Sequence, residues 1–145
     1  MQLQLAANAS NPLRILLAED DDEMRALLLW WLRREGYDVT ECRDGNDLLT
    51  YLEWSVLSGE LAEFDLVLSD IRMPRGSALG VLDEFYGSDG LPPTILITAF
   101  GDPAIHAEAR QLGAAEVIDK PLDREALMAK IRQLAPTGRS QECRG

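Results

Sequence analysis

The sequence predicts an α/β fold in which a parallel sheet of five strands is covered by helices on both faces. Short apolar runs alternate along the chain with longer stretches of helical period, and glycine-containing turns separate several of them. Because strands that alternate with helices at this spacing form right-handed βαβ units, few chain topologies are compatible with the pattern.

The elements are predicted in chain order from these runs. The predicted strands are LRILLA (13–18), YDVTEC (37–42), FDLVLS (64–69), TILITA (94–99) and AEVID (115–119). The predicted helices lie near 22–35, 45–58, 78–86, 103–112 and 123–134. Asp21 or Asp22 is expected to cap the first helix, and Gly36 to end it. Asp44-Gly45 is expected to form the turn before the second helix.

The composition is that of one acidic domain. The chain has 145 residues, of which 46% are hydrophobic, and a formal net charge of −11. A surface this acidic repels phosphate backbones, so direct nucleic-acid binding is not expected. The domain is predicted to cover 13–134. The polar segments 1–12 and 135–145 lack periodicity and are expected to be disordered tails.

The sequence pattern favours a cytoplasmic protein. No apolar stretch is long enough to span a bilayer, and the start, MQLQLAANASNPL, lacks the charged and uninterrupted apolar regions of a signal peptide. Cys42 is expected in the core and Cys143 lies near the end, and the two do not form a metal-binding pattern. A reducing compartment fits both cysteines.

Polar groups follow four of the five predicted strands. Glu19 and Asp20 follow the first, Asp70 follows the third, Thr98 lies at the end of the fourth, and Lys120 follows the fifth. Because ligands bind at the carboxyl ends of the strands in such sheets, we expect these groups to form one site. Each group alone is explained more readily as a helix cap, a strand former or a turn residue, so the combination carries the inference.

The chemistry of these groups indicates a metal and a phosphoryl group. Three clustered carboxylates repel one another unless a cation lies between them. Mg²⁺, which prefers about six oxygen ligands, suits such a cluster, and Lys120 adds a further positive charge. A carboxylate beside the metal is a potential nucleophile. The pattern therefore favours aspartyl-phosphate chemistry at Asp70, with Thr98 and Lys120 binding the remaining phosphoryl oxygens.

Four segments resemble a known family when they are taken in this order: RILLAEDDDEMRALL (14–28), LVLSDIRMP (66–74), ILITAFGD (95–102) and VIDKPLD (117–123). They resemble the CheY-like receiver domain of bacterial two-component response regulators, over 13–134. The resemblance implies a flavodoxin-like, doubly wound sheet with strand order 2-1-3-4-5 and five helices.

The resemblance also implies a role for individual residues. Asp70 matches the phosphoacceptor of the family. Glu19 and Asp20 match the acid pair that binds Mg²⁺, together with the phosphoacceptor and the backbone carbonyl at the position of Arg72. The acid pair lies directly after the first predicted strand, and Asp21 falls outside it.

The resemblance assigns roles to further residues, and the sequence departs from the family at one of these positions. Thr98 matches the switch hydroxyl, Lys120 matches the phosphate-binding lysine, and the bond into Pro121 is expected to be cis. The switch aromatic of the family aligns with Val117, so the usual movement of an aromatic ring is not available here. The stretch YLEWSVLSGELAE (51–63) is longer than its counterpart and is expected to extend the second helix.

The resemblance implies a signalling protein. A stand-alone receiver would take a phosphoryl group from a histidine kinase or a histidine phosphotransfer protein and then contact a downstream protein. Its only catalysis would be Mg²⁺-dependent phosphorylation and dephosphorylation of itself. The alternatives are a fragment of a longer response regulator, a pseudo-receiver that binds without phosphorylation, and a haloacid-dehalogenase-like phosphatase. The phosphatase family requires a second acid where this chain has Arg72.

The first predicted helix carries more apolar residues than packing on a sheet requires. Its predicted core stripe has the spacing of one helix face and consists of Met24, Leu27, Leu28, Trp31 and Leu32. Leu29 and Trp30 are expected outside this stripe. Met24 and Leu27, near the acid pair, would contact the phosphodonor, and Leu29 and Trp30 would extend that surface or form a homodimer. The alternative is a wide core stripe in which neighbouring side chains cover Trp30.

Overall fold

The computed structural model describes residues 12–58, 64–88, 90–99 and 103–135 of the chain. Its strands are β1 (Arg14–Ala18), β2 (Asp38–Cys42), β3 (Leu66–Asp70), β4 (Thr94–Thr98) and β5 (Glu116–Asp119). Its helices are α1 (Asp22–Arg34), α2 (Gly45–Ser58), α3 (Ala78–Glu84), α4 (Pro103–Gln111) and α5 (Arg124–Leu134). The strands form one parallel sheet in the order β2-β1-β3-β4-β5, which confirms the predicted fold and topology.

Several predictions fall on parts of the chain that the structure does not describe. The two predicted tails, apart from Pro12 and Ala135, lie outside the described residues, and so does Cys143. The described part of α2 ends at Ser58, so the rest of the lengthened stretch, 59–63, is also outside. Within the described part of the chain, no helix is both long and apolar enough to cross a membrane.

Alternating residues of the strands feed two apolar clusters, one on each face of the sheet. On the face covered by α1 and α5, the buried strand residues are Ile15, Leu17, Leu66, Leu68, Ile95 and Ile97. On the face covered by α2, α3 and α4, they include Leu16, Val67 and Leu96. Full burial of such a side chain stabilises the fold by roughly 1.5–3 kcal/mol. The sheet is therefore a rigid base for the groups at its edge.

Helix α1 packs on the sheet with a different face from the predicted stripe. Leu28 and Leu32 are buried as expected, but Leu27 is 40% exposed, so its predicted core position was wrong. Leu29, expected outside the stripe, is half-buried and packs against the same cluster as Leu28. The buried residues of α1 are Arg25, Leu28 and Leu32, so the packed face of the helix starts at Arg25 and not at Met24.

Candidate functional site

The predicted polar residues converge at the carboxyl edge of the sheet. Glu19 follows β1, Asp70 is the last residue of β3, and Thr98 is the last residue of β4. Lys120 follows β5. Ala18 pairs with Ser69 in the sheet, which places Glu19 and Asp70 side by side at the ends of adjacent strands.

Three carboxylates form a compact cluster at this edge. Oxygen atoms of Glu19, Asp20 and Asp70 all lie within 4.8 Å of one another. Glu19 and Asp70 are buried, whereas Asp20 is exposed. Two buried acids with a third beside them leave a concentrated negative charge that is open to solvent on one side.

Lys120 places a positive charge beside this cluster. Its Nζ lies 3.3 Å from Glu19 Oε1 and 3.8 Å from Asp70 Oδ2. Its backbone N–H donates to the carbonyl of Thr98 at 2.8 Å. The Lys120–Pro121 peptide bond is cis. The ammonium group therefore faces the two buried carboxylates from the end of a neighbouring strand.

The charge balance of the site remains unfavourable for an ionised Asp70. Burial, the largest effect, raises the pKa of Asp70 to about 6, with Glu19 and Asp20 acting in the same direction. Lys120 and the backbone hydrogen bond from Ile71 lower this pKa but do not compensate. A carboxylate in this state is stabilised by an added cation. The donor set consists of hard oxygen atoms, so it fits Mg²⁺.

Main-chain contacts hold the β3–α3 loop, which follows Asp70. The N–H of Ile71 donates to the carbonyl of Ile97 at 2.9 Å, and the N–H of Ala78 donates to the carbonyl of Ile71 at 2.9 Å. The first bond ties the loop to β4, and the second closes it where α3 begins. Ser77 then caps α3 by accepting from the N–H of Gly80.

The same loop rests on the turn between β2 and α2. The N–H of Gly45 donates to the carbonyl of Pro74 at 3.1 Å. A Cβ atom on Gly45 would collide with the backbone of Gly76, so only glycine allows this approach. Arg75 and Gly76 both have positive φ, 61° and 118°. The sequence predicted a turn at Asp44-Gly45 but not its contact with the β3–α3 loop.

A buried arginine holds the β1–α1 loop, which contains the acid pair. Arg25 donates through Nη1 to the carbonyl of Glu19 at 2.9 Å, through Nη2 to Asp22 at 2.7 Å, and through Nε to Glu41 at 3.2 Å. Asp21 caps α1 by accepting from the N–H of Met24. Arg25 was not among the predicted site residues, although a single cation two residues after a run of acids was an available signal.

The remaining predicted residues are either buried or exposed. Thr98 and Val117 are buried, and Val117 belongs to the apolar cluster under α2, α3 and α4. The side chain of Arg72 is exposed. Pro121 is also exposed. Val117, which aligns with the switch aromatic of the resembled family, is therefore a small core residue.

The predicted partner surface on α1 is only partly exposed. Trp30 is 56% exposed, with the guanidinium of Arg34 lying 5.1 Å from its ring centroid. Leu27 is also exposed, whereas Met24 and Leu29 are half-buried against the core. Trp30 and Leu27 are thus the members of the predicted surface that solvent reaches most.

Charged contacts connect the elements beyond β4. Glu116 on β5 lies 3.5 Å from Arg110 of α4 and 3.7 Å from Lys130 of α5. His106 Nε2 lies 2.9 Å from Asp119 Oδ1, which directly precedes Lys120. Side chains therefore link α4, β5 and α5 next to the site.

Comparisons with known proteins agree with this arrangement. The family model of the response regulator receiver domain matches residues 15–132. The transcriptional regulatory protein PdtaR of Mycobacterium tuberculosis is 33% identical over 126 residues, covering 86% of this chain and 58% of PdtaR. CpxR of Escherichia coli is 31% identical over 121 residues, covering 83% of this chain and 48% of CpxR.

Solved structures show the same fold. The signal receiver domain of a Luxo repressor protein from Vibrio parahaemolyticus matches with a TM-score of 0.78 and 23% identity, covering 92% of this chain and 97% of the other. A CheY-like receiver domain protein from Methanospirillum hungatei matches with a TM-score of 0.75 and 24% identity, covering 93% and 100%.

The fold and the acidic edge define a two-component signalling module. The chain belongs to the response regulator receiver domain family. Its cluster of Glu19, Asp20 and Asp70 is typical of the Mg²⁺ site of receiver domains. The chain spans about half the length of the curated relatives that it matches.

Proposed function

We propose that this chain accepts a phosphoryl group on Asp70 from a histidine kinase or a histidine phosphotransfer protein. The observation that carries the proposal is the position of the Asp70 carboxylate, at a strand end, inside the acid cluster and 3.8 Å from Lys120. In the transfer, an oxygen of Asp70 forms a bond to phosphorus while the bond from phosphorus to the donor nitrogen breaks. The nitrogen keeps the electron pair.

The chain's own residues prepare Asp70 for this step. Asp70 must be ionised to act as the nucleophile, and its raised pKa means that an added positive charge favours the reactive form. Lys120 would bind a phosphoryl oxygen through the ammonium group that now faces Glu19 and Asp70. Thr98, at the end of the adjacent strand, would bind another oxygen through its hydroxyl.

Mg²⁺ would be held by the carboxylates of Glu19, Asp20 and Asp70 and by the backbone carbonyl of Arg72. When bound, it would neutralise charge on the carboxylates and on the phosphoryl oxygens. The compact oxygen cluster and the raised pKa of Asp70 support this assignment.

The phosphorylated state would be read by a downstream protein target on the face formed by α4, β5 and α5. Val117 carries no ring, so the switch would act through Thr98, Lys120 and the backbone, without an aromatic rotamer change. The contacts of Glu116 with Arg110 and Lys130 support a face whose elements respond together. We also propose that this activity is cytoplasmic. Direct contact with nucleic acid is not part of the proposal, because the chain is strongly acidic.

Whether the module acts alone is a separate part of the proposal. In one form of the proposal the module is a stand-alone receiver. The alternative is the receiver part of a longer response regulator, and the fact that the curated relatives are about twice as long favours it. The size of the native protein in its own cells, measured with an antibody against this domain, distinguishes the two.

The phosphoacceptor assignment is tested by incubating the protein with acetyl phosphate and Mg²⁺ and measuring its intact mass. The wild type should gain one phosphoryl group, and Asp70→Asn should gain none. Asp21→Asn is the matched control, because Asn still caps α1 and the residue lies outside the proposed ligand set. It should be labelled like the wild type. Equal labelling of wild type and Asp70→Asn would contradict the assignment.

A further inference from the structure

The side chain of Arg25 is buried directly behind the acid pair. The residue is 8% exposed, and each of its three guanidinium nitrogens has a hydrogen-bond partner. These partners lie on three different segments: the carbonyl of Glu19 in the loop, Asp22 at the start of α1, and Glu41 on β2. One side chain therefore connects the acid loop both to the helix that follows it and to the neighbouring strand.

The two ion pairs of Arg25 do not explain why the residue is buried. Asp22 is 86% exposed and Glu41 is 40% exposed at the side chain, and exposed ion pairs contribute little to stability. Taking a guanidinium out of water is unfavourable unless its donors are satisfied in good geometry. An apolar side chain would fill this position at lower cost if packing were its only role.

The bond to the carbonyl of Glu19 distinguishes Arg25 from a packing residue. It is the buried member of the three hydrogen bonds, and its acceptor is the main chain of a residue in the acid cluster. The Glu19 carboxylate also accepts from the N–H of Asp21 at 3.2 Å. The backbone and the side chain of Glu19 are thus both held against repulsion from Asp70 and Asp20, with the N–H of Glu19 also donating to the carbonyl of Cys42 at 3.1 Å.

We propose that Arg25 is a positioning residue that holds the β1–α1 loop so that the carboxylates of Glu19 and Asp20 face Asp70 before a divalent cation binds. The inference rests on the proposed function, because it assigns Arg25 a role at the same Mg²⁺ site. Arg25 itself contacts neither the cation nor the phosphoryl group. Its effect is to reduce the reorganisation that binding would otherwise require.

The test measures Mg²⁺ binding to the whole chain by isothermal titration calorimetry, beside thermal melts in EDTA. Arg25→Met should weaken Mg²⁺ binding by about tenfold or more, the size of effect common for residues that orient metal ligands. Arg25→Lys keeps the positive charge but cannot make all three hydrogen bonds of the guanidinium, so it should recover part of the Mg²⁺ affinity. Arg33→Met, an exposed change on the same helix, should bind Mg²⁺ like the wild type.

The outcomes separate this inference from the proposed function. If Arg25→Met lowers the melting temperature in EDTA but binds Mg²⁺ with wild-type affinity, Arg25 is only structural and the inference is overturned. If Arg25→Met does not fold, Arg25→Lys and Glu41→Gln decide, and wild-type affinity in both overturns the inference. If the wild type itself binds no Mg²⁺, the proposed site fails together with the inference.

Discussion

The two loops that bring carboxylates to the edge of the sheet are held by different kinds of contact. The β1–α1 loop is held mainly by side chains, chiefly the buried guanidinium of Arg25, beside a main-chain hydrogen bond from the N–H of Glu19 to the carbonyl of Cys42 at 3.1 Å. Main-chain hydrogen bonds hold the β3–α3 loop, together with a close approach between Gly45 and Gly76. The first loop therefore depends more on charge, and the second depends more on backbone shape.

The difference corresponds to what each loop delivers. Asp70, the proposed nucleophile, is part of a strand, and a nucleophile gains from a fixed position. The acid pair of the proposed Mg²⁺ site follows a strand in a loop, where Glu19 is buried and Asp20 is exposed. Substitutions that remove a charge should therefore act mainly on the first loop, and substitutions that add atoms should act mainly on the second.

The largest expected effect is the pH dependence of Asp70 itself, measured in EDTA. The folded state holds a proton on Asp70 up to about pH 6, whereas the unfolded carboxyl loses it near pH 4. The folded state therefore binds more protons in this window, and stability should fall as the pH rises through it. The loss is at most about 3 kcal/mol.

Asp70→Asn isolates this effect, since Asn does not titrate. Denaturant melts of the two proteins should agree near pH 4, and the variant should be the more stable one at pH 7 without metal. Adding Mg²⁺ should raise the melting temperature of the wild type more than that of Asp70→Asn. A constant difference between the two proteins from pH 4 to pH 7 would show that Asp70 has an ordinary pKa.

Gly45→Ala should break the main-chain support of the second loop. The added methyl group would meet the backbone of Gly76, and such overpacking typically costs about 1–3 kcal/mol. Because this loop follows Asp70, the rate of phosphorylation by acetyl phosphate should fall as well. Gly80→Ala is the matched control: its Cβ would meet only Ser77 Oγ at 3.9 Å, and Ala in a helix is favoured over Gly.

Stopped-flow phosphorylation and urea melts check both glycine variants. Gly80→Ala should be as stable as the wild type or more so, with an unchanged rate. A Gly45→Ala protein that matches Gly80→Ala in both measurements would mean that the loop moves aside easily, and the proposed contrast between the loops would be lost.

The smallest expected effect on stability is that of Trp30→Ala, below about 1 kcal/mol. Trp30 is mostly exposed and lies far along α1 from the acid loop, so its removal should leave Mg²⁺ binding unchanged. Leu28→Ala, in the core on the same helix, should cost about 2–5 kcal/mol. If Trp30 belongs to a partner surface, its truncation should weaken phosphotransfer from a cognate kinase, or self-association in sedimentation, by about 1 kcal/mol or more.

Urea melts measure the first part of this prediction. A loss for Trp30→Ala as large as that for Leu28→Ala would place Trp30 in the core. Unchanged phosphotransfer and unchanged sedimentation would remove it from the partner surface.

The sequence predicted the parts of the molecule that follow from strand order. Because the strands were predicted to be parallel, their carboxyl ends lie at the same edge of the sheet. Asp70, Thr98 and Lys120 could therefore be predicted to lie near one another from the sequence alone. The contacts that support them could not be predicted in this way. Arg25 and Gly45 act across elements distant in the chain, and a helical period does not reveal which face a buried charge will turn inward. The errors at Leu27 and Leu29 have this cause.

The close approach of Gly45 and Gly76 fixes the first turn of α2 beside the β3–α3 loop. A change in chain length at the other end of α2 is therefore remote from the acidic edge of the sheet. Helix α2 begins at Gly45, beside the site, and its 14 residues extend about 21 Å toward the opposite end of the sheet. Trp54 and Leu57 lie near that far end and are exposed. We therefore expect residues gained or lost after α2 to leave the distances at the acidic edge nearly unchanged, so that the length of the chain there can vary with little effect on the chemistry of the site.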